Sequence, residues 1–172
     1  MNKEKFRLDM QGAIFDLDGT LFDSMWVWNQ VDLDFLGKRG FEVPDDYTKA
    51  IAHMDAHRTA RYTIDRFGLN EDIDDIVNEW FEMAKDKYAY DVICKQGAYE
   101  YVEKLHNQGV KIAIATSSDK VLFEKTLERT GLNKFIDAVV MVKEVNKGKS
   151  HPDVYLEAAR RLGTNPCDTV VY

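Results

Sequence analysis

Short apolar runs alternate with amphipathic stretches over most of the chain. The run at residues 12–18, GAIFDLD, is almost continuously apolar as far as its first aspartate, which predicts a strand buried on both faces. The same pattern predicts strands at 110–115, 138–142 and 168–172. Between these last three strands, apolar residues recur at helical spacing and a glycine ends each stretch, which predicts a helix in each interval. Strands that alternate with helices predict the α/β class, with a doubly wound parallel sheet that binds ligands beyond the carboxyl ends of its strands.

A different pattern interrupts this alternation after the first strand. Apolar residues recur there mostly at helical spacing, and the stretches 58–67 and 73–90 are amphipathic. We therefore expect a helical insert at 24–91, carried by an α/β core that consists of residues 1–23 and 92–172.

Composition narrows the classes of function. The 172 residues include 23 Lys and Arg against 30 Asp and Glu, which gives a formal net charge of −7. That balance disfavours a nucleic-acid partner, because such binding depends on basic side chains. No apolar run approaches the roughly 20 residues of a membrane span, and the first ten residues lack the pattern of a signal peptide. Cys94 and Cys167 form no CxxC pair, so we expect a reducing, cytoplasmic compartment.

Two carboxylates follow the first predicted strand. Side chains two apart on a strand share a face, so we expect Asp16 and Asp18 to point to the same side of the sheet edge. Carboxylates this close repel each other unless a cation or a shared proton relieves the repulsion. Mg²⁺ prefers oxygen ligands and suits such a pair. A simple turn is the alternative, since Asp and Gly are common turn residues.

Other polar groups follow the next predicted strands. Thr116, Ser117 and Ser118 precede a helix, where hydroxyl and backbone N–H groups form an anion site; ordinary helix capping is the alternative. Lys149 lies in a loop before another helix and could neutralise a phosphate oxygen; a solvated basic loop is the alternative. Together, carboxylates, a hydroxyl and an ammonium group suit phosphoryl transfer to an aspartate.

Three segments resemble motifs of one known family. DLDGTLFDS at 16–24, ATSS at 115–118 and GKSHPDVY at 148–155 resemble, in order and spacing, the first three motifs of the haloacid dehalogenase (HAD) superfamily. The helical insert after the first motif resembles the cap of its β-phosphoglucomutase-like subfamily. The resemblance implies a Rossmann-like core, an inserted cap, Mg²⁺ as cofactor and a phosphorylated substrate.

The resemblance also implies a role for each matching residue. Asp16 would be the nucleophile and a Mg²⁺ ligand, and Asp18 the general acid/base whose carbonyl also binds the metal. Thr116 would hold the transferring phosphoryl group, and Lys149 would pair with Asp16 and the phosphate. The residues implied to contact substrate are Gly19, Ser117, Ser118 and, in the cap, Arg58.

Two departures from the family pattern shape the functional expectation. Mutases of this subfamily carry a histidine where this chain has Trp28, which favours a phosphatase of a small phosphorylated metabolite, such as a sugar phosphate, over a sugar-phosphate mutase. The family's fourth, acidic motif would follow the strand at 168–172, but the sequence stops at Tyr172. We therefore expect a missing C-terminal part of the core, weak Mg²⁺ binding and self-association through the uncovered last strand. A catalytically impaired phosphate-binding domain is the alternative in that case.

Overall fold

The computed structural model describes residues 10–172, which divide into two units. An α/β unit contains residues 10–23 and Ile93–Tyr172, and a helical unit contains Ser24–Val92. Among the described residues, no helix is both long and apolar enough to cross a membrane.

The helices and strands follow each other in an order typical of α/β folds. The strands are β1 (Gly12–Phe15), β2 (Phe22–Asp23), β3 (Ile93–Cys94), β4 (Lys111–Thr116), β5 (Ala138–Met141) and β6 (Thr169–Val171). The helices are α1 (Val27–Lys38), α2 (Tyr47–Ile51), α3 (Ala56–Phe67), α4 (Ile73–Tyr90), α5 (Ala98–Asn107), α6 (Lys120–Thr130) and α7 (Asp153–Leu162).

A four-stranded parallel sheet forms the centre of the α/β unit, in the order β5-β4-β1-β6. On one face, Ile14 and Val140 pack with Val154 and other residues of α7. The neighbouring Phe15 points to the opposite face, where its ring meets Tyr101 of α5 at 6.3 Å between centroids. Helices therefore cover both faces, and the predicted doubly wound, Rossmann-like fold is confirmed.

The first strand is shorter than the sequence pattern predicts. It ends at Phe15, whereas the prediction continued it to Asp18. The reason is local: the carbonyl of Leu17 accepts the N–H groups of Thr20, Leu21 and Phe22 at 3.2, 3.0 and 2.8 Å, which turns the chain. The predicted strand end is therefore wrong: Asp16 and Asp18 lie beyond the strand, in the segment that turns the chain.

Ion pairs and a cation–π contact hold the helical unit together. Arg39, directly after α1, bonds to Glu71 and Glu79 at 2.5 and 2.7 Å, and its guanidinium lies 3.6 Å above the ring centroid of Phe35. The bounds of α4 agree with the predicted helix at 73–90. These contacts fix α1 against α4 independently of the sheet.

The outer edge of β5 is closed by an ion pair between side chains. Arg161 Nη1 donates to the carbonyl of Val139 at 2.6 Å, and the N–H of Met141 donates to Glu144 Oε1 at 2.7 Å. Arg161 and Glu144 also pair with each other at 2.8 Å. An added parallel strand would use the same carbonyl and the same N–H, two residues apart. The pair therefore occupies the groups that would otherwise accept another strand.

Removal of Arg161 should open this edge. We expect Arg161→Ala to associate more strongly than the wild-type protein, because the carbonyl of Val139 becomes available to another chain. Arg160→Ala is the matched control, since Arg160 contacts Glu157 on the same helix and does not reach β5. Sedimentation velocity over a range of protein concentrations measures the difference. Equal sedimentation of all three proteins would contradict the account.

Two aspartates of α1 should affect stability with opposite signs. Burial raises the pKa of Asp32 from 3.8 to about 6, so its carboxylate form costs stability, and this cost grows as the pH rises through 6. The hydrogen bond from Lys87 at 2.6 Å lowers the pKa of Asp34, so its contribution is present at neutral pH and is lost in acid. We expect Asp32→Asn to stabilise the helical unit by about 1–2 kcal/mol near pH 8 and to have little effect near pH 4.

Asp34→Asn is the paired variant and should destabilise the helical unit near neutral pH. All three tryptophans lie in that unit, so denaturant unfolding followed by tryptophan fluorescence reports on it specifically. A destabilised Asp32→Asn variant at alkaline pH would show that the carboxylate has a favourable partner after all.

Candidate active site

Predicted site residues from three chain segments meet at the carboxyl edge of the parallel sheet. Asp16 follows β1, Thr116 is the last residue of β4, and Lys149 lies in the loop between β5 and α7. Because these strands are parallel, the segments that follow them lie at the same edge. The fold thus brings together groups that are far apart in sequence.

The carboxylate of Asp16 is held through one of its two oxygens. Lys149 Nζ lies 2.5 Å from Asp16 Oδ1, and the N–H of Leu17 donates to the same oxygen at 2.7 Å. Both side chains remain partly exposed, 35% for the aspartate and 23% for the lysine. Within the described part of the chain, no hydrogen bond reaches Oδ2. One oxygen is therefore anchored, while the other is left for a reacting group.

Asp18 and Thr116 are joined through Ser118. The hydroxyl of Ser118 donates to Asp18 Oδ2. The backbone N–H of Ser118 donates to Thr116 Oγ1 at 3.0 Å. Thr116 is fully buried. Its hydroxyl oxygen accepts the bond from Ser118, so its hydroxyl hydrogen is available to donate to another group. One serine therefore links two of the four predicted catalytic residues.

The other predicted substrate contacts lie in different surroundings. Gly19 follows Asp18 in the turn and has a φ of +77°, a conformation that favours glycine. Ser117 is exposed at the end of β4. Arg58 belongs to the helical unit, where its exposed guanidinium lies 3.5 Å from Asp55, the N-cap residue of α3.

Two lysines near this edge were not predicted to contribute. Lys95 Nζ donates to the carbonyl of Gly19 at 2.9 Å. Lys143 Nζ donates to Asp119 at 2.7 Å, a bond that lowers the pKa of this aspartate. Neither lysine lies in a recognisable motif, and both contacts depend on how loops fold back on each other, which no local sequence signal reveals.

The donor set of the site fits Mg²⁺. At this sheet edge Asp16 offers a carboxylate oxygen and Asp18 its backbone carbonyl, and Mg²⁺ in proteins is usually held by one or two carboxylates, substrate phosphates and several waters. Among residues 10–172, no group of three or more acidic, histidine or cysteine side chains is placed to hold a metal ion. Among the described residues, these two aspartates would therefore share Mg²⁺ with phosphate oxygens and water.

Comparison with known proteins identifies the family. The sequence profile of the haloacid dehalogenase-like hydrolases matches residues 13–172, so the chain belongs to this family, as its three motifs predict. It is 27% identical over 164 residues to hexitol phosphatase B of Escherichia coli K12, covering 92% of this chain and 72% of that protein.

A plant protein and a solved structure extend the comparison. The chloroplastic protein SUPPRESSOR OF QUENCHING 1 of Arabidopsis thaliana is 30% identical over 166 residues, which is 94% of this chain but 16% of that protein. The crystal structure of a candidate β-phosphoglucomutase from Thermotoga maritima superimposes with a TM-score of 0.85 at 23% identity, over 94% of this chain and 75% of that one. This structural similarity establishes a shared fold.

Lys149 should be required for anion binding at this site. We expect Lys149→Met to weaken the affinity for inorganic phosphate by roughly tenfold or more, in line with the loss of a charged hydrogen-bond donor. Lys147→Met is the control, since Lys147 is exposed in the same loop. Titration calorimetry measures both affinities. Equal affinities of the two variants would exclude Lys149 as a phosphate contact.

Proposed function

We propose that this chain is the Mg²⁺-dependent phosphatase of a small phosphorylated metabolite, such as a sugar phosphate. The observation that carries the proposal is the carboxylate of Asp16, anchored by Lys149 at the sheet edge that also holds Asp18 and Thr116. Membership of a hydrolase family and similarity to hexitol phosphatase B support the same class of reaction.

In the first step, Asp16 acts as the nucleophile. Its Oδ2 attacks phosphorus, and the bond between phosphorus and the leaving-group oxygen breaks. Asp18 in its acid form gives its proton to that oxygen, so the alcohol leaves neutral. Asp16 becomes an aspartyl-phosphate and loses its negative charge. The ammonium group of Lys149 then pairs with the phosphoryl oxygens instead of with Asp16.

In the second step, water regenerates the enzyme. The Asp18 carboxylate takes a proton from a water molecule, whose oxygen attacks phosphorus and breaks the bond to Asp16. Inorganic phosphate leaves, and both aspartates return to their initial states. The hydroxyl of Ser118 holds the Asp18 carboxylate during this step, and Thr116 provides a donor for the phosphoryl group. When bound by Asp16 and Asp18, Mg²⁺ would offset the negative charge of the phosphoryl group.

Several finer points belong to this proposal. The helical unit would act as a cap, with Arg58 contacting the distal part of the substrate, and the enzyme would work in the cytoplasm. Self-association through the last strand also stays a prediction.

A mutase would use the same first step and return the phosphoryl group to a sugar; Trp28, where mutases carry a histidine, favours transfer to water.

Replacement of Asp16 tests the proposal directly. We expect Asp16→Asn to lower phosphate release by at least about a thousandfold, because the variant loses the attacking charge. Asp137→Asn is the matched control: Asp137 also accepts a backbone N–H, that of Ile112 at 2.7 Å, but at the opposite end of the sheet. The measurement is phosphate release from a panel of sugar phosphates, nucleotides and phosphoglycolate, with Mg²⁺ present.

The same panel separates the alternatives. Phosphate release by the wild-type protein and by the Asp137 variant, but not by the Asp16 variant, supports a phosphatase. Isomerised sugar phosphate without free phosphate would indicate a mutase. Phosphate binding without turnover of any substrate would indicate a binding domain. Near-normal release by the Asp16 variant would refute the assignment of the nucleophile.

A further inference from the structure

The turn that carries Asp18 is closed in part by hydrogen bonds within its own backbone. Three N–H groups donate to the carbonyl of Leu17, and the N–H of Gly19 donates to the carbonyl of Phe22 at 3.0 Å. The carbonyl of Gly19 takes no part in these bonds. Gly19 has a positive φ and no side chain, so no side chain of its own can hold this carbonyl in place.

Lys95 reaches this turn from outside and bonds to it twice. Lys95 follows β3, whose pairing with β2 places Cys94 opposite Phe22. The N–H of Lys95 donates to the carbonyl of Leu21 at 2.8 Å, and its Nζ donates to the carbonyl of Gly19 at 2.9 Å. A single residue therefore restrains two successive parts of the turn, at positions one and three residues after Asp18.

We propose that Lys95 is a positioning residue that fixes the backbone of the turn that contains Asp18. The inference rests on the proposed phosphatase function, in which the Asp18 carboxyl must transfer a proton at a defined place. Ser118 donates to that carboxyl, and Lys95 donates to the carbonyl of the next residue, Gly19. A charged donor suits this task, because hydrogen bonds from an ammonium group are stronger than those from a neutral donor.

The chain offers a closely matched control at the other end of the sheet. Lys111, the first residue of β4, also donates its Nζ to a backbone carbonyl, that of Leu162 at 2.7 Å. Both lysines are exposed, and both make the same kind of bond. They differ in what the bond restrains: the turn next to Asp18 in one case and the end of α7 in the other.

The test compares Lys95→Met with Lys111→Met in the full-length protein. We expect Lys95→Met to lower kcat by about tenfold with little change of KM, because proton transfer by Asp18 loses its alignment. Lys111→Met should keep the wild-type kcat. Lys95→Arg should recover most of the activity, since arginine also donates to a carbonyl. Equal kcat values for the Lys95 and Lys111 methionine variants would overturn the proposal.

A second measurement does not depend on activity. Hydrogen exchange of the amides of Thr20 and Leu21, which close the turn, should be faster in Lys95→Met than in the wild-type protein and unchanged in Lys111→Met. Unchanged exchange in Lys95→Met would overturn the proposal even if kcat falls. If the wild-type protein proves inactive on every substrate, the proposed function fails, and exchange still decides whether Lys95 holds the turn.

Discussion

The ion pair between Asp16 and Lys149 is the interaction on which the site depends. Its two residues come from the end of β1 and from the loop that precedes α7, so it can form only where the parallel sheet brings these segments to one edge. An aspartate near a second carboxylate is costly without a positive partner. The lysine supplies that partner at one oxygen of Asp16, and the proposed nucleophilic attack uses the other.

Asp18 is held in a different way. Its carboxylate accepts a hydrogen bond from Ser118, and the turn that carries it is restrained from outside by Lys95. The two carboxylates thus have different partners: an ammonium group for Asp16 and a hydroxyl for Asp18. This difference in surroundings fits the proposed roles, in which Asp16 is the nucleophile and Asp18 the acid and base.

Sequence patterns could predict the parts of this structure that depend on periodicity. The helix α4 matches its prediction because an apolar face repeats over its length and Asp72 caps its first turn. The end of β1 could not be predicted, because the turn after it depends on three hydrogen bonds to Leu17. The contact of Lys95 with Gly19 depends in turn on how β2 and β3 pair, and strands of two residues carry no periodic signal.

In the proposed reaction, the phosphoryl group passes through Asp16 before it reaches water. The most direct measurement is the stereochemistry at phosphorus, with a substrate whose transferred group is a thiophosphate made chiral by oxygen isotopes. Each in-line displacement inverts the configuration, so transfer to Asp16 followed by hydrolysis predicts overall retention. Inversion would show a single displacement by water and would contradict the covalent role of Asp16.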